Sequence, residues 1–186
     1  CTSSIVSVYC GFSKKEIGNQ GFAVAVDASA GSGVIVDLNK EAGSACIITN
    51  YHVLYDSGYQ EENNGISEHI FVYPYGARNH FDIHDSYTVR DGEIYKKPDG
   101  YLDGGYTEED IGDQGGDGIK ATYVGGAMDY DIAILKVEGS EYLRNSAATE
   151  ATIGNSEEVT LGEKAYAIGN ANALGISTTS GVISVE

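Results

Sequence analysis

Tryptophan is absent from this chain of 186 residues, and the sequence contains only two prolines, one methionine and three cysteines. Three cysteines cannot all pair with one another, and none of them forms a C-x-x-C spacing. This pattern argues against a zinc knuckle and against a small scaffold held together by disulfides. Cys10 and Cys46 either pair across neighbouring strands or remain free thiols, and the sequence leaves both alternatives open.

Positive charge is also scarce, because 11 Lys and Arg face 28 Asp and Glu and give a formal charge of −17. A negative field of this size repels phosphate backbones and anionic lipid headgroups. No apolar run approaches the roughly 20 residues that a membrane-spanning helix needs. We therefore expect no nucleic-acid partner and no transmembrane segment. Cys1 is either a lipid-modified cysteine or an arbitrary first residue, since no lipobox is visible.

Glycine and tyrosine are abundant instead, with 25 and 14 residues, and short runs rich in Val, Ile and Thr alternate with Gly, Ser and Asn. Such runs are typical of short strands joined by turns, and no longer segment shows a helical period. The sequence predicts an all-β fold. The predicted strands are Ile5–Tyr9, Gly21–Val26, Gly33–Val36, Ala45–Thr49, Glu68–Tyr73, Ile119–Val124, Asp131–Val137, Lys164–Ile168 and Ser177–Val185.

Residues 80–117 interrupt this rhythm with a long stretch rich in acids, glycine and tyrosine. We interpret it as a surface insertion between two barrel strands. Its aspartates are candidate oxygen ligands for Ca²⁺, although their spacing does not match the loop of an EF-hand. The alternative is a solvated acidic loop that binds no metal. The aspartates concerned are Asp99, Asp103, Asp110, Asp113 and Asp117.

His52 is the histidine best placed for chemistry among the four in the chain. It follows the apolar run that starts at Cys46, where a rigid strand end can present a side chain to a cleft. His80 and His84 have a spacing that suits a metal only on a helix, and their Gly- and Asp-rich surroundings argue against a helix. His69 is expected at the start of a strand.

Asp131 stands at the head of an otherwise apolar strand. A carboxylate in that place is either solvated at the barrel rim or held by an N–H donor, because burial without a partner is costly. An imidazole Nδ1–H is a suitable donor, and an aspartate bonded in this way fixes the histidine tautomer. His52 and Asp131 are therefore the candidate catalytic residues.

Five motifs in order resemble trypsin-like serine proteases of the HtrA/Deg-type bacterial branch. Gly31–Ile35 followed by Ile47–Val53 resembles the strand pair that presents the catalytic histidine. Asp129–Lys136 resembles the strand that carries the catalytic aspartate, with Asp131 in its place. Segments of the last part of the chain resemble the linker and opening hairpin of a second barrel. They are Ile153–Glu157, Leu161–Asn170 and Ser180–Ser184.

This resemblance implies a double β-barrel of which the chain holds a part. Residues 1–150 would form the first barrel, and residues 151–186 would form the linker and the first strands of an incomplete second barrel. The remainder of the second barrel would be the partner that completes the fold. Its absence would leave this portion alone inactive and with exposed strand edges.

The chain departs from the family pattern at three points. Tyr51 stands where the family usually has Ala, and Ala171 stands where it usually has Pro. The Gly-Asn-Ser-Gly-Gly motif, which carries the nucleophile and oxyanion-hole N–H groups, does not occur. Ser156 lies in a similar Gly-Asn-Ser run, but two glutamates follow it in place of the glycines. We do not expect Ser156, Ser32 or Ser180 to be the nucleophile, and the resemblance implies structural roles for Ser32 and Ser180.

The function implied by the resemblance is that of a serine endopeptidase acting on protein or peptide substrates, with no organic cofactor. His52 would be the general base and Asp131 its orienting partner. The alternative is a catalytically inactive trypsin-like module used for binding or scaffolding. A carbohydrate- or metal-binding β-barrel is a third interpretation that rests on Tyr and Asp content alone. The resemblance also implies an extracytoplasmic bacterial protein.

Overall fold

The structure is a computed structural model that describes residues 2–18, 21–83, 87–90, 93–96, 111–170 and 175–184. Side chains are described in these ranges except at residues 15–18, 21–26, 83, 87–90 and 93–96. Twelve strands and a few short helical turns make up the regular structure of this part of the chain. None of the helices described there has the length and apolar character needed to cross a membrane.

The strands are numbered here in chain order. They are β1 (Ile5–Gly18), β2 (Gly21–Asn39), β3 (Ser44–Thr49), β4 (His69–Pro74), β5 (Phe81–Ile83), β6 (Tyr87–Arg90), β7 (Glu93–Lys96), β8 (Ile111–Asp113), β9 (Ile119–Ala127), β10 (Ile132–Val137), β11 (Lys164–Gly169) and β12 (Ser177–Val182). The α-helices are α1 (Tyr51–Leu54) and α2 (Glu141–Asn145), and both are only about one turn long.

Six antiparallel strands form a closed barrel in the order β1-β4-β9-β10-β3-β2, and β1 and β2 pair to close it. Every second side chain of β3 and β10 is buried and points into the barrel interior. Ile47 and Leu135 face each other across this pair and are almost completely buried. The all-β prediction and the predicted first barrel architecture are confirmed.

One long strand replaces two that the sequence predicts. Gly21–Val26 and Gly33–Val36 both belong to β2, which pairs with β1 without a break from Gly18↔Gly21 to Ile5↔Val34. The intervening Gly and Ser residues look like a turn in the sequence, but continuous hydrogen bonding to β1 keeps them extended. The prediction of two separate strands here was wrong because pairing with the preceding strand β1 overrides the local preference of the Gly and Ser residues for a turn.

The acidic segment lies between β4 and β9, two strands of the barrel. It contains β5 to β8, of which β5 pairs with β8. Side-chain contacts fasten its described end to β4 and to the loop that follows β4. The Tyr73 hydroxyl donates to Asp113 Oδ1 at 2.8 Å, and Arg78 forms a bidentate pair with Asp117.

A separate hairpin of β11 and β12 follows the barrel and is paired in antiparallel fashion from Lys164↔Val182 to Gly169↔Ser177. All six residues of β12 are exposed in this chain. Asn170, at the end of β11, is only 2% exposed. Its Nδ2 donates to the Tyr9 hydroxyl of β1 at 3.3 Å, which joins the hairpin to the barrel.

Candidate active site

His52 is carried by α1, directly after β3 leaves the barrel wall. The sequence predicts His52 at a strand end, whereas the chain turns at Asn50 and forms one short helix. Val53 and Leu54 anchor this helix because their side chains are buried in the barrel core. His52 points the other way, and its side chain is 72% exposed. The core contacts thus orient α1 so that the imidazole lies outside the barrel.

Asp131 lies at the turn between a 3₁₀ helix (Met128–Tyr130) and β10. Its backbone is left-handed, with φ 52° and ψ 42°, and its N–H donates to Met128 O at 3.0 Å. Non-glycine residues seldom adopt this conformation, and Asp and Asn adopt it most readily. The turn directs the Asp131 side chain toward α1, which follows β3, the strand paired with β10.

The two side chains meet at hydrogen-bond distance. His52 Nδ1 lies 2.7 Å from Asp131 Oδ2, and the main-chain N–H of His52 donates to Asp131 Oδ1 at 2.9 Å. The main-chain and side-chain hydrogen bonds from His52 lower the pKa of the Asp131 carboxyl below its usual range. An ionised Asp131 therefore accepts from Nδ1–H, and Nε2 remains the nitrogen that can exchange a proton with a substrate or nucleophile.

Two glycines in the motif Gly31-Ser-Gly allow the site to assemble. A Cβ on Gly31 would lie 2.5 Å from Val53 Cγ2, the residue next to His52. A Cβ on Gly33 would lie 2.6 Å from Ile47 Cγ2 on β3. The sequence singled out this motif only by resemblance, and its physical role is now clear. Both glycines let the elements that carry His52 approach β2 closely.

Tyr51, the departure from the family pattern beside His52, packs in an aromatic cluster with Tyr55 and Tyr123. The centroid of the Tyr51 ring lies 5.6 Å from that of the Tyr55 ring and 6.4 Å from that of the Tyr123 ring. A Cβ on Gly126 would lie 3.0 Å from Tyr51 Cδ2, so the glycine leaves room for the larger ring. Tyr51 is thereby accommodated without displacing α1.

The three serines considered from the sequence are carried by elements other than α1, and Ser32 lines the same surface depression as Asn50 and Asp131. Ser32 is on β2, where its carbonyl accepts from the Thr49 hydroxyl at 2.8 Å. Ser180 lies on β12, and Ser156 begins a short 3₁₀ helix. Within the described residues, no serine hydroxyl is hydrogen-bonded to His52. That none of these serines is the nucleophile stays a prediction.

The other candidate ligands form no metal site in the part of the chain that the structure describes. No group of three or more His, Cys, Asp or Glu side chains there is arranged to hold a metal ion. Asp113 and Asp117 are engaged by Tyr73 and Arg78, as described above. The remaining calcium candidates, Asp99, Asp103 and Asp110, and also His84 and Cys1, lie outside the described residues. Calcium binding by the insertion therefore stays a prediction.

The described cysteines and the remaining histidines occupy positions away from this pair. Cys10 and Cys46 are free thiols, and burial raises the pKa of the Cys10 thiol far above its usual range. A thiol that resists ionisation is a poor nucleophile. His69 begins β4, as predicted, and His80 immediately precedes β5.

Comparison with known proteins identifies the family of the chain. A family model described as "Trypsin-like peptidase domain" matches residues 31–186. The chain belongs to the trypsin-like peptidase family. Two proteins named "Serine protease Do-like HtrA", from Lactococcus lactis subsp. lactis and subsp. cremoris, are each 28% identical to it over 161 and 164 residues. These alignments cover 80% and 82% of this chain but only 38% and 39% of the two relatives.

Solved structures give the same fold. The serine endoprotease from Yersinia pestis matches with a TM-score of 0.50 and 21% identity, over 99% of this chain and 41% of that one. The structure described as "HtrA-type protease AlgWS227A with decapeptide" matches with a TM-score of 0.52 and 21% identity, over 98% of this chain and 42% of that one. The trypsin-like fold predicted from five motifs is thus confirmed, and the chain spans about two fifths of these relatives.

Proposed function

We propose that the full-length protein is a serine endopeptidase in which His52 is the general base and Asp131 its orienting partner. The observation that carries the proposal is the contact between His52 Nδ1 and Asp131 Oδ2, at 2.7 Å. A histidine held through Nδ1 presents Nε2 to a serine hydroxyl. Membership of the trypsin-like peptidase family supports the same assignment.

The reaction follows from this arrangement. The nucleophilic serine attacks the peptide carbonyl while Nε2 of His52 takes its proton. The imidazolium formed is stabilised by the Asp131 carboxylate, and it then gives the proton to the leaving amine. Water repeats the sequence on the acyl-enzyme. No organic cofactor takes part, and we propose protein or peptide chains as substrates, in keeping with the decapeptide named for AlgW.

We propose that the serine and the oxyanion hole come from a second barrel that β11 and β12 begin. The exposed surface next to the histidine and aspartate supports this. Ile132 and Ile134, on the outer face of β10, are 47% and 40% exposed. Neighbouring apolar side chains exposed on one face of a strand form a patch of the kind that marks an interaction surface. The remainder of the second barrel is the partner that would cover them and enclose the cleft.

We extend the proposal to an extracytoplasmic site of action, as the resemblance to HtrA-type proteases implies. The large negative charge of the chain suits an acidic surface exposed to solvent. A lipid anchor at Cys1 stays a prediction and is tested by mass spectrometry of the mature protein from its host.

The test is to label the full-length gene product with a fluorophosphonate probe, which reacts with a serine activated by a positioned base. We expect labelling of the wild type, no labelling of His52→Ala, and normal labelling of the control His80→Ala, which removes a histidine away from α1. A folded full-length protein that never labels would refute the proposal. That result would favour an inactive trypsin-like module used for binding.

A further inference from the structure

Asn50 begins α1 but does not cap it. Asn is among the favoured residues at a helix N-cap, where its side-chain oxygen usually accepts from an N–H of the first turn. Here Asn50 makes no such capping bond. Its Nδ2 instead donates to Asp131 Oδ2 at 3.0 Å and contacts the Asp131 main-chain O at 3.3 Å. The carboxamide is therefore directed away from its own helix and toward the aspartate.

The contacts from Asn50 restrict the rotation of the Asp131 carboxylate. The main-chain N–H of His52 fixes Oδ1, which still allows Oδ2 to rotate about that anchor. Asn50 Nδ2 holds Oδ2, the same oxygen that faces His52 Nδ1. It also contacts the carbonyl of a residue whose backbone is left-handed. One side chain thus restrains both the carboxylate and the main chain of Asp131.

Exposure makes this restraint important. The side chains of His52 and Asp131 are 72% and 43% exposed in this chain, and exposed ion pairs are weak and readily exchange with water. A single contact would not keep the imidazole in one orientation. Three hydrogen bonds from Asn50 and His52 to the Asp131 carboxylate keep it in one orientation, because each bond limits the rotation that the others permit.

We propose that Asn50 is a positioning residue that sets the Asp131 carboxylate for His52 and thereby fixes the His52 tautomer. This inference rests on the proposed peptidase function for its kinetic consequences. Its structural consequence, the tautomer of His52, can be measured without activity. Asn50 acts through Asp131 and is not expected to contact the substrate.

The test compares Asn50→Ala with Asn50→Ser in the full-length protein. Ser is as good an N-cap as Asn, but its hydroxyl is one bond shorter and falls short of Asp131. Loss of one hydrogen bond to a charged group predicts a decrease in kcat of about tenfold for both variants. KM should stay within about twofold of the wild type, because ground-state binding is not affected.

A matched control is Asn155→Ser. Asn155 is also an N-cap residue, but its oxygen accepts from Glu157 N at 3.1 Å and its side chain caps its own turn. We expect wild-type kcat for this variant. Far-UV circular dichroism checks folding, and Asn50→Ser, which keeps a capping side chain, decides the question where Asn50→Ala unfolds.

The second measurement is the tautomer of His52, read from the ¹⁵N shifts of its ring nitrogens after selective histidine labelling. We expect the Nδ1–H form in the wild type and a larger share of the Nε2–H form in both Asn50 variants. If Asn50→Ser has the wild-type kcat and the wild-type His52 tautomer, the role of Asn50 is to cap α1 and the inference is wrong. If the wild type is inactive, the proposed peptidase function fails. If the His52 tautomer is unchanged in both Asn50 variants, the inference about Asn50 is wrong, whatever the activity.

Discussion

Asp131 accepts two different hydrogen bonds from His52, one from the main-chain N–H to Oδ1 and one from the ring Nδ1–H to Oδ2. The main-chain bond ties the aspartate to the backbone of α1, and the side-chain bond orients the ring. The barrel core holds α1 through the buried side chains of Val53 and Leu54, and the two bonds from His52 hold Asp131 against α1. The geometry of the pair is therefore set by both the barrel core and these direct bonds.

Asp131→Asn is expected to remove activity while keeping the fold. Asn tolerates the left-handed backbone at this position, so the turn before β10 is retained. Its amide is neutral and can donate toward Nδ1, which favours the wrong tautomer of His52. The expected decrease in kcat is about 10⁴-fold.

The measurement is kcat with a peptide substrate, together with fluorophosphonate labelling. Asp129→Asn is the matched control, because Asp129 is an exposed acid two residues away that makes no described contact with His52. Equal activity of Asp131→Asn and wild type would contradict the assignment of Asp131.

Gly31→Ala should disturb both stability and activity, although the residue is not expected to touch substrate. The new Cβ would lie 2.5 Å from Val53 Cγ2 and would push against α1. Overpacking of this kind costs about 1–3 kcal/mol of unfolding free energy. His52 is the neighbour of Val53 and should move with it, so kcat should decrease as well.

Chemical denaturation and steady-state kinetics measure the two effects of Gly31→Ala. Gly154→Ala is the control, because nothing lies within 4 Å of a Cβ built there. Wild-type stability and kcat for Gly31→Ala would show that α1 tolerates the displacement.

The sequence predicts the barrel well where each strand alternates and is bounded by its own turn, as at β3 and β10. It also predicts the pairing of His52 with Asp131, since the residue chemistry and the motif order agree. The continuity of β2 escapes prediction because pairing with β1 overrides its Gly- and Ser-rich centre. The role of Asn50 escapes it for a related reason: an Asn before a helix indicates a cap, and only the tertiary approach of Asp131 redirects its side chain.

The Arg78–Asp117 pair predicts a pH-dependent stability. Hydrogen bonds from the Arg78 side chain lower the pKa of the Asp117 carboxyl below its usual value of 3.8. A carboxyl with a lowered folded-state pKa stabilises the fold above its unfolded pKa, and this contribution is lost as pH falls through the folded pKa. Asp117→Asn should therefore lower Tm at pH values near 7, and the difference from wild type should shrink below about pH 4.

Differential scanning calorimetry from neutral to acidic pH measures this prediction. Arg78→Gln should give the same decrease in Tm, and the double variant should add little to either single change, as expected for two residues that act through one contact. A difference that persists unchanged at acidic pH would show that the ion pair is not its cause.

Asn170 is expected to be the most sensitive link between the hairpin and the barrel. It is 2% exposed, its Nδ2 donates to the Tyr9 hydroxyl at 3.3 Å, and its Oδ1 accepts from Gly175 N at 2.8 Å. Asn170→Ala removes both contacts and leaves the Gly175 N–H without that acceptor. The expected loss is about 1–3 kcal/mol of unfolding free energy.

Hydrogen exchange separates this effect from a general loss of stability, because the Gly175 amide should exchange faster in Asn170→Ala under conditions where β3 and β10 amides do not. Asn145→Ala is the control, since Asn145 is an exposed residue whose Nδ2 donates to the Glu141 carbonyl within α2. Asn170 connects Gly175 with Tyr9 of the barrel, and the hairpin of β11 and β12 is the proposed start of the second barrel. If Gly175 exchange is unchanged in Asn170→Ala, the two parts of the chain are held together by contacts other than Asn170.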